Sequence, residues 1–168
     1  MKPQDFVNMI STSKLLELVS NCDLERITYL VENGLDVNKQ SKYGETMLSR
    51  AVKTNAKDIA SYLIKMGADV ALPIVERESQ AFCSCDKYSL LSKVAYHDKS
   101  GTIFAELLKT YPELDIHEID FRGNSILDYA IRGRNKTMVD ILVSLGAKTN
   151  SESLECFNKN NIDEGNNE

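Results

Sequence analysis

Apolar side chains recur along this chain at spacings of three and four residues, in short segments that come in pairs. One segment carries Leu48, Ala51 and Val52, and the segment after it carries apolar residues across 59–64. This spacing predicts two short amphipathic helices joined by a tight turn. The same paired pattern occurs four times, in the ranges of about 11–38, 40–71, 86–117 and 120–150.

Glycine-containing segments close three of these four pairs. The segments at 34–38 and 67–70 are near copies that lie 33 residues apart, and a third version at 146–150 closes the last pair. Hydroxyl side chains that we expect to cap the first helix of each pair lie at Ser13, Thr46, Ser89 and Ser125. A repeat period near 33 residues predicts a solenoid of stacked helix pairs.

These repeats resemble the ankyrin-repeat family. The second repeat carries most of the likeness, with Gly44, the Thr46-x-Leu48 pattern and the closing segment at 67–70. The resemblance covers residues 11–150 and implies an all-α ankyrin solenoid of about four helix-turn-helix repeats. The family's Thr-Pro-Leu-His segment has no histidine in any copy here, so we expect each repeat to be less stable than a consensus repeat.

The third repeat is longer than the others. Its segment at 91–95 aligns with 48–52 at a separation of 43 residues, ten more than the period. The extra residues fall in the connection at 72–86, which predicts an enlarged loop before the third repeat. Insertions in solenoids often lie on the binding face. We expect the apolar residues of this loop either to pack onto repeats two and three or to form part of an interface.

Residues 1–157 are interpreted as one ankyrin-repeat domain in which 1–10 and 151–157 cover the exposed apolar ends. Residues 158–168 are rich in asparagine and acidic residues, and we expect them to be disordered. The chain has a formal net charge of −5, of which −4 lies in 151–168. The near-neutral remainder has no basic footprint, which argues against nucleic-acid binding.

No apolar run is long enough to cross a bilayer, and no signal-peptide pattern is present. The four cysteines are scattered rather than spaced as a disulfide framework. These features predict a cytoplasmic protein, or one in a host cytosol if it is secreted by a non-classical route, and no association with membranes.

A search for catalytic and metal-binding patterns finds little. Cys83 and Cys85 are one residue apart and have no second ligand pair nearby, whereas structural zinc sites need four ligands. His97 and His117 lie in no recognisable nucleophile or metalloprotease motif. We therefore expect no enzymatic activity, metal or cofactor. A thiol- or metal-responsive protein that uses the two cysteines is the alternative, and a self-associating solenoid is a weaker one.

The resemblance implies that partners bind at the turn tips and at the exposed residues of the inner helices. The matching positions here are Lys42, Tyr43, Glu45, Lys53, Asp86, Tyr88, Tyr96, His97, Phe121, Arg122, Asn124 and Arg132. Tyrosine and arginine are enriched in binding hot spots. We expect a non-enzymatic module, monomeric when unbound, that binds one protein partner as an inhibitor or adaptor. Small stand-alone ankyrin proteins of bacteria and viruses look similar, as host-directed factors or neutralisers of a toxic enzyme.

Overall fold

A computed structural model describes residues 7, 9–72, 74–76, 86–120 and 122–149, and for 74–76 and 86–88 it describes the backbone alone. Within these residues lie eight helices of similar length. They are α1 (Thr12–Ser20), α2 (Leu24–Glu32), α3 (Met47–Lys53), α4 (Lys57–Lys65), α5 (Leu90–His97), α6 (Thr102–Thr110), α7 (Ile126–Arg132) and α8 (Lys136–Ser144).

The helices form two layers. The inner helices α1, α3, α5 and α7 pack on one another in sequence order, and each outer helix packs on the inner helix that precedes it. One continuous apolar core runs from Val7 to Leu142. The predicted all-α solenoid of four helix pairs is confirmed. The predicted C-terminal cover at 151–157 and the tail at 158–168 lie outside the described residues.

The inner helices begin with side-chain caps. Thr46 accepts a hydrogen bond from the backbone N–H of Ser49, and Ser125 accepts one from Asp128. In both repeats the third helical residue bonds back to the capping residue, which completes a capping box. Ser49 and Asp128 occupy the position of the missing family histidine, and their side chains accept from the backbone N–H groups of Thr46 and Ser125.

The predicted cap at Ser13 is wrong. Helix α1 begins two residues earlier than the repeat period indicates, and its N-cap is Ser11, whose hydroxyl accepts from the N–H of Lys14. In repeats two and four a tight turn leads directly into the inner helix, whereas residues 9–11 lead into α1. Ser13 therefore lies inside the first turn of the helix.

Two short strands lie in the enlarged connection before the third repeat. Strand β1 (Ile74–Glu76) pairs in antiparallel register with strand β2 (Asp86–Tyr88), so that Ile74 faces Tyr88. The sequence predicted a loop here, because runs of three residues are too short to show an alternating pattern. The paired strands bring the two ends of the insertion together directly before α5.

The joint between repeats three and four depends on one buried amide. Asn135 is 1% exposed, and its Nδ2 donates to the carbonyl oxygens of Ala95 at 2.9 Å and Asp98 at 3.0 Å. Its Oδ1 accepts from the N–H of Met138 at 3.3 Å and so caps α8. Carbonyls in the last turn of a helix have no partner within that helix. Asn135 therefore satisfies the end of α5 and the start of α8 together.

Close backbone contact completes this joint. A methyl group added at Gly133 would lie 2.7 Å from the carbonyl oxygen of Tyr96 and 3.0 Å from its Cα. The Nζ of Lys99 donates to the carbonyl oxygen of Gly133. The end of α7 thus lies directly against the end of α5, and a glycine is needed for this approach.

Replacing Asn135 with alanine should lower the free energy of unfolding by about 2–4 kcal/mol, because it removes a helix cap and leaves buried carbonyls without a donor. Urea unfolding followed by circular dichroism measures the change. Asn33→Ala is the matched control, since the described side-chain bond of Asn33 is made to Tyr29 of its own helix, and its loss should cost less than about 1 kcal/mol. Equal losses in both variants would contradict the bridging role.

Gly133→Ala should destabilise the chain by about 1–3 kcal/mol, because the added methyl group forces α7 away from the Tyr96 backbone. The control is Thr54→Ala at the corresponding position of repeat two, where the native residue already carries a Cβ. Thermal unfolding should show a clear loss for the first variant and a small change for the second. A neutral Gly133→Ala would show that the two helix ends can separate without cost.

Candidate partner-binding surface

The turn tips of repeats two and four are built by the same hydrogen bonds. The Ser41 hydroxyl accepts from the N–H groups of Tyr43 and Glu45, at 3.2 and 3.1 Å. The Asp120 carboxylate accepts from the N–H groups of Arg122 and Asn124, both at 2.8 Å. Each tip also contains a glycine with positive φ, 75° at Gly44 and 79° at Gly123. These hydrogen bonds therefore fix the backbone conformation of both tips and so the positions of the side chains on them.

The tip of repeat two presents an aromatic ring and a cation. Tyr43 is 37% exposed, and the Nζ of Lys42 lies 4.8 Å from the centre of its ring, within the range of a cation–π contact. Glu45, also predicted as a contact residue, forms a two-point ion pair with Arg50 at 2.7 and 2.8 Å. Its carboxylate therefore holds the tip to α3.

The ends of α3 and α5 carry the next predicted residues. Lys53 is exposed at the last position of α3. Tyr96 is 41% exposed, and its ring meets that of His97 edge to face with centroids 4.8 Å apart. The Nζ of Lys99 lies 5.9 Å from the Tyr96 ring centre. The Tyr96 ring is thus partly held in place by neighbours and still open to solvent.

In repeat four the predicted residues contact one another. Arg132 Nη2 donates to the side-chain oxygen of Asn124, and the guanidinium lies 5.5 Å from the ring centre of Tyr129. The Nδ2 of Asn124 in turn donates to Asp120 Oδ2 at 2.9 Å. Arg122 is exposed on the same tip. The structure therefore joins the end of α7 to the tip in front of it.

The pKa values of two carboxylates near these tips are shifted in opposite directions. Burial opposes ionisation of Asp120, but hydrogen bonds from Asn124, Tyr129 and Arg122 outweigh it and lower its pKa below the ordinary 3.8. Burial raises the pKa of Glu118 above 4.5, although a hydrogen bond from Ser89 opposes the shift. Asp120 is therefore a structural anion of the tip.

Several predicted residues have no described side chain. Phe121, Cys83 and Cys85 lie outside the described residues, and for Asp86 and Tyr88 the backbone of β2 is what the structure places. Among the side chains that are described, no three histidine, cysteine or acidic groups come together as a metal site. No helix within the described ranges is long and apolar enough to cross a membrane.

Two exposed cations were missed by the sequence reasoning. Lys99 and Arg134 lie in the turns that follow α5 and α7, beside Tyr96 and Arg132 respectively. The signal that could have identified them is that repeats two, three and four each place a lysine or arginine at or just after the end of the inner helix. Aligning those ends, rather than individual motifs, shows the recurrence.

Known proteins share part of this sequence. The family model described as ankyrin repeats (many copies) matches residues 15–64, which span helices α1 to α4. Residues 15–64, the first two helix pairs, are therefore similar to ankyrin repeats. A stretch of 57 residues is also 42% identical to human ankyrin repeat domain-containing protein 40. That stretch is 33% of this chain and 16% of the human protein, so the chain matches about one sixth of that relative's length. Ankyrin repeats are in general protein–protein interaction modules and not enzymes.

Replacing Asp120 with asparagine should lower the melting temperature at neutral pH and have progressively less effect in acid. The pKa of Asp120 is lowered by folding, so its ionised form contributes stability that is complete above pH 3.8 and is lost as the pH falls through the lower folded pKa. Melting curves of both proteins between neutral pH and about pH 2 test this. A difference that stays constant with pH would show that the charge of Asp120 does not stabilise the tip.

Proposed function

We propose that this protein binds one protein partner through its turn tips and the exposed ends of its inner helices. The residues are those predicted from the sequence whose side chains the structure describes, with Tyr43 and Tyr96 as the main apolar contacts. With this mode of binding the chain would act by occluding a surface of its partner, as an inhibitor, or by bridging two proteins, as an adaptor.

The observation that carries this proposal is the state of the two tyrosines. Tyr43 and Tyr96 are 37% and 41% exposed, and each has a lysine ammonium within 6 Å of its ring centre. A large aromatic side chain that is already held in place loses little conformational entropy on binding, which favours affinity. Both lie where the family binds its partners.

The rest of the surface supports recognition over chemistry. Asp120 and Asn124 are committed to hydrogen bonds within their tip, and Glu45 is committed to its ion pair with Arg50. No acid, base and nucleophile among the described side chains of these tips and helix ends form a catalytic arrangement. A rigid tip with outward aromatic groups suits protein binding.

The double variant Tyr43→Ala/Tyr96→Ala should lose its partner, whereas Tyr29→Ala should keep it. Tyr29 is the matched control because it is 61% exposed but lies on outer helix α2. Removing a hot-spot aromatic residue costs about 2 kcal/mol or more, roughly a thirtyfold loss of affinity. The three proteins are immobilised, exposed to lysate of the source organism, and compared by quantitative mass spectrometry of the captured proteins.

The expected result is one protein that the wild type and Tyr29→Ala capture equally and the double variant does not. Capture that survives in the double variant would exclude these two tyrosines from the binding surface. If Tyr29→Ala alone loses the partner, the outer helices bind it. If the wild type captures nothing above a blank resin, the proposal of a protein partner in that organism is wrong.

A further inference from the structure

We infer that the partner presents an acidic, extended protein segment, which lies along the ends of the inner helices in repeats two to four. This inference rests on the proposed function and adds the chemistry of the partner. The surface concerned is called the inner-helix ridge and comprises residues 53–56, 96–101 and 132–135.

The exposed charges of the inner-helix ridge are cationic. Lys53, Lys99, Arg132 and Arg134 are all exposed there. Lys99 donates to the carbonyl of Gly133, and Arg132 donates to the side chain of Asn124, so the partners found for these two cations are neutral groups. Their positive charge is therefore presented to whatever binds the ridge.

The one carboxylate within the ridge does not reach its surface. Asp98 is 0% exposed, and it accepts hydrogen bonds from the Ser100 hydroxyl at 2.8 Å and from the Phe104 N–H at 3.0 Å. In repeat one the corresponding residues 20–23 carry no cation, and their charged residue, Asp23, forms a 3.3 Å ion pair with Arg26. The cationic part of the surface therefore begins at repeat two.

The outer helices provide the contrast. They carry both signs, for example Asp58 and Lys65 on α4, and Lys136 and Asp140 on α8. Glu106 of α6 lies 3.7 Å from the Nζ of Lys65, so part of this charge is paired across repeats. The concentration of one sign on the inner-helix ridge is therefore not a property of the whole surface, and charge complementarity selects an acidic partner there.

The ridge is continuous between repeats three and four. The backbone of Gly133 lies against that of Tyr96, and Lys99, whose Nζ is 5.9 Å from the Tyr96 ring centre, donates to the Gly133 carbonyl oxygen. Helix α3 packs on α5 in the same layer. Packed helices lie about 8–10 Å apart, so the three ends span roughly 16–20 Å. An extended chain covers about 3.3 Å per residue, so about five or six residues would cross the ridge.

A protein segment fits this surface better than a nucleic acid. The chain before residue 151 has a net charge near −1, and nucleic-acid affinity depends on many phosphate contacts made by a strongly basic surface. A few cations around one exposed tyrosine match a short segment in which carboxylates flank an apolar or aromatic residue. Binding of a nucleic acid instead of a protein segment is one of the outcomes that the test below distinguishes.

The test pans a random dodecapeptide phage library against the immobilised full chain and sequences the enriched peptides. Synthetic copies are then measured by fluorescence polarisation. The ridge variant is Lys99→Gln/Arg132→Gln/Arg134→Gln. The matched control is Lys65→Gln/Lys109→Gln/Lys136→Gln, which removes three exposed cations from the outer helices. Melting curves of both variants are recorded first, because cations at helix ends also favour the helix dipole.

Enriched peptides should be rich in aspartate and glutamate, and the ridge variant should bind them at least about fivefold more weakly while the control variant stays within about twofold. Added salt should weaken wild-type binding more than that of the ridge variant. Acidic peptides that bind the ridge variant as well as wild type would overturn the location. A short single-stranded RNA that binds wild type and not the ridge variant would assign the ridge to phosphates and overturn the inference.

The same experiment separates this inference from the proposed function. Neutral or basic peptides that enrich, and whose binding is lost in Tyr43→Ala/Tyr96→Ala, would keep the protein-binding function and reject the acidic partner. If the folded wild type enriches no peptide above background, the result would count against both the acidic partner and the proposed protein-binding function. The peptide affinity of each variant that melts like the wild type is compared directly with that of the wild type. If the ridge variant does not fold, Arg134→Gln alone, which lies outside α7, should show a smaller loss in the same direction.

Discussion

The fold depends on the fact that a single pair of seven- to nine-residue helices cannot bury its own apolar side chains. The inner and outer helices are covered by their neighbours, and the core is therefore one cluster that crosses all four repeats. Ala51 and Ala130 occupy the same position on α3 and α7 and are both 0% exposed. Small side chains there let adjacent inner helices approach closely, so that each layer is thin and the stack continuous.

The backbone N–H and C=O groups at the helix ends also need hydrogen-bond partners, and the repeats differ in how they provide them. In repeat two the residue before the outer helix is Ala56, which provides no side-chain cap. In repeat four the same position is Asn135, which bonds across to Ala95 and Asp98. The joint between repeats three and four is therefore held by directional bonds as well as by apolar contact. That joint also fixes the position of Tyr96 relative to the end of α7.

The sequence predicts most of this architecture because the helix pattern recurs. Period, helix pairing and three of the four inner-helix caps follow from the spacing of apolar and hydroxyl residues. Ser11 could not be found in that way, because α1 begins two residues earlier than the repeat period indicates. The β1–β2 pairing was missed because its strands are too short for a pattern. The period alone could not show that residues at the two ends of the insertion would pair as strands.

The candidate surface was predicted residue by residue, and its contacts were not. Ion pairs such as Glu45–Arg50, and the bond from Arg132 to Asn124, join a tip to the helix behind it across five and eight residues of sequence. No helical or strand periodicity connects such positions. These contacts divide the predicted residues into two groups. Glu45 and Asn124 hold the tips rigid, whereas Tyr43, Tyr96 and the cations remain exposed on the rigid frame. A rigid frame lowers the entropic cost of binding, so under the proposed function the residues that bond inward would support recognition by those that face outward.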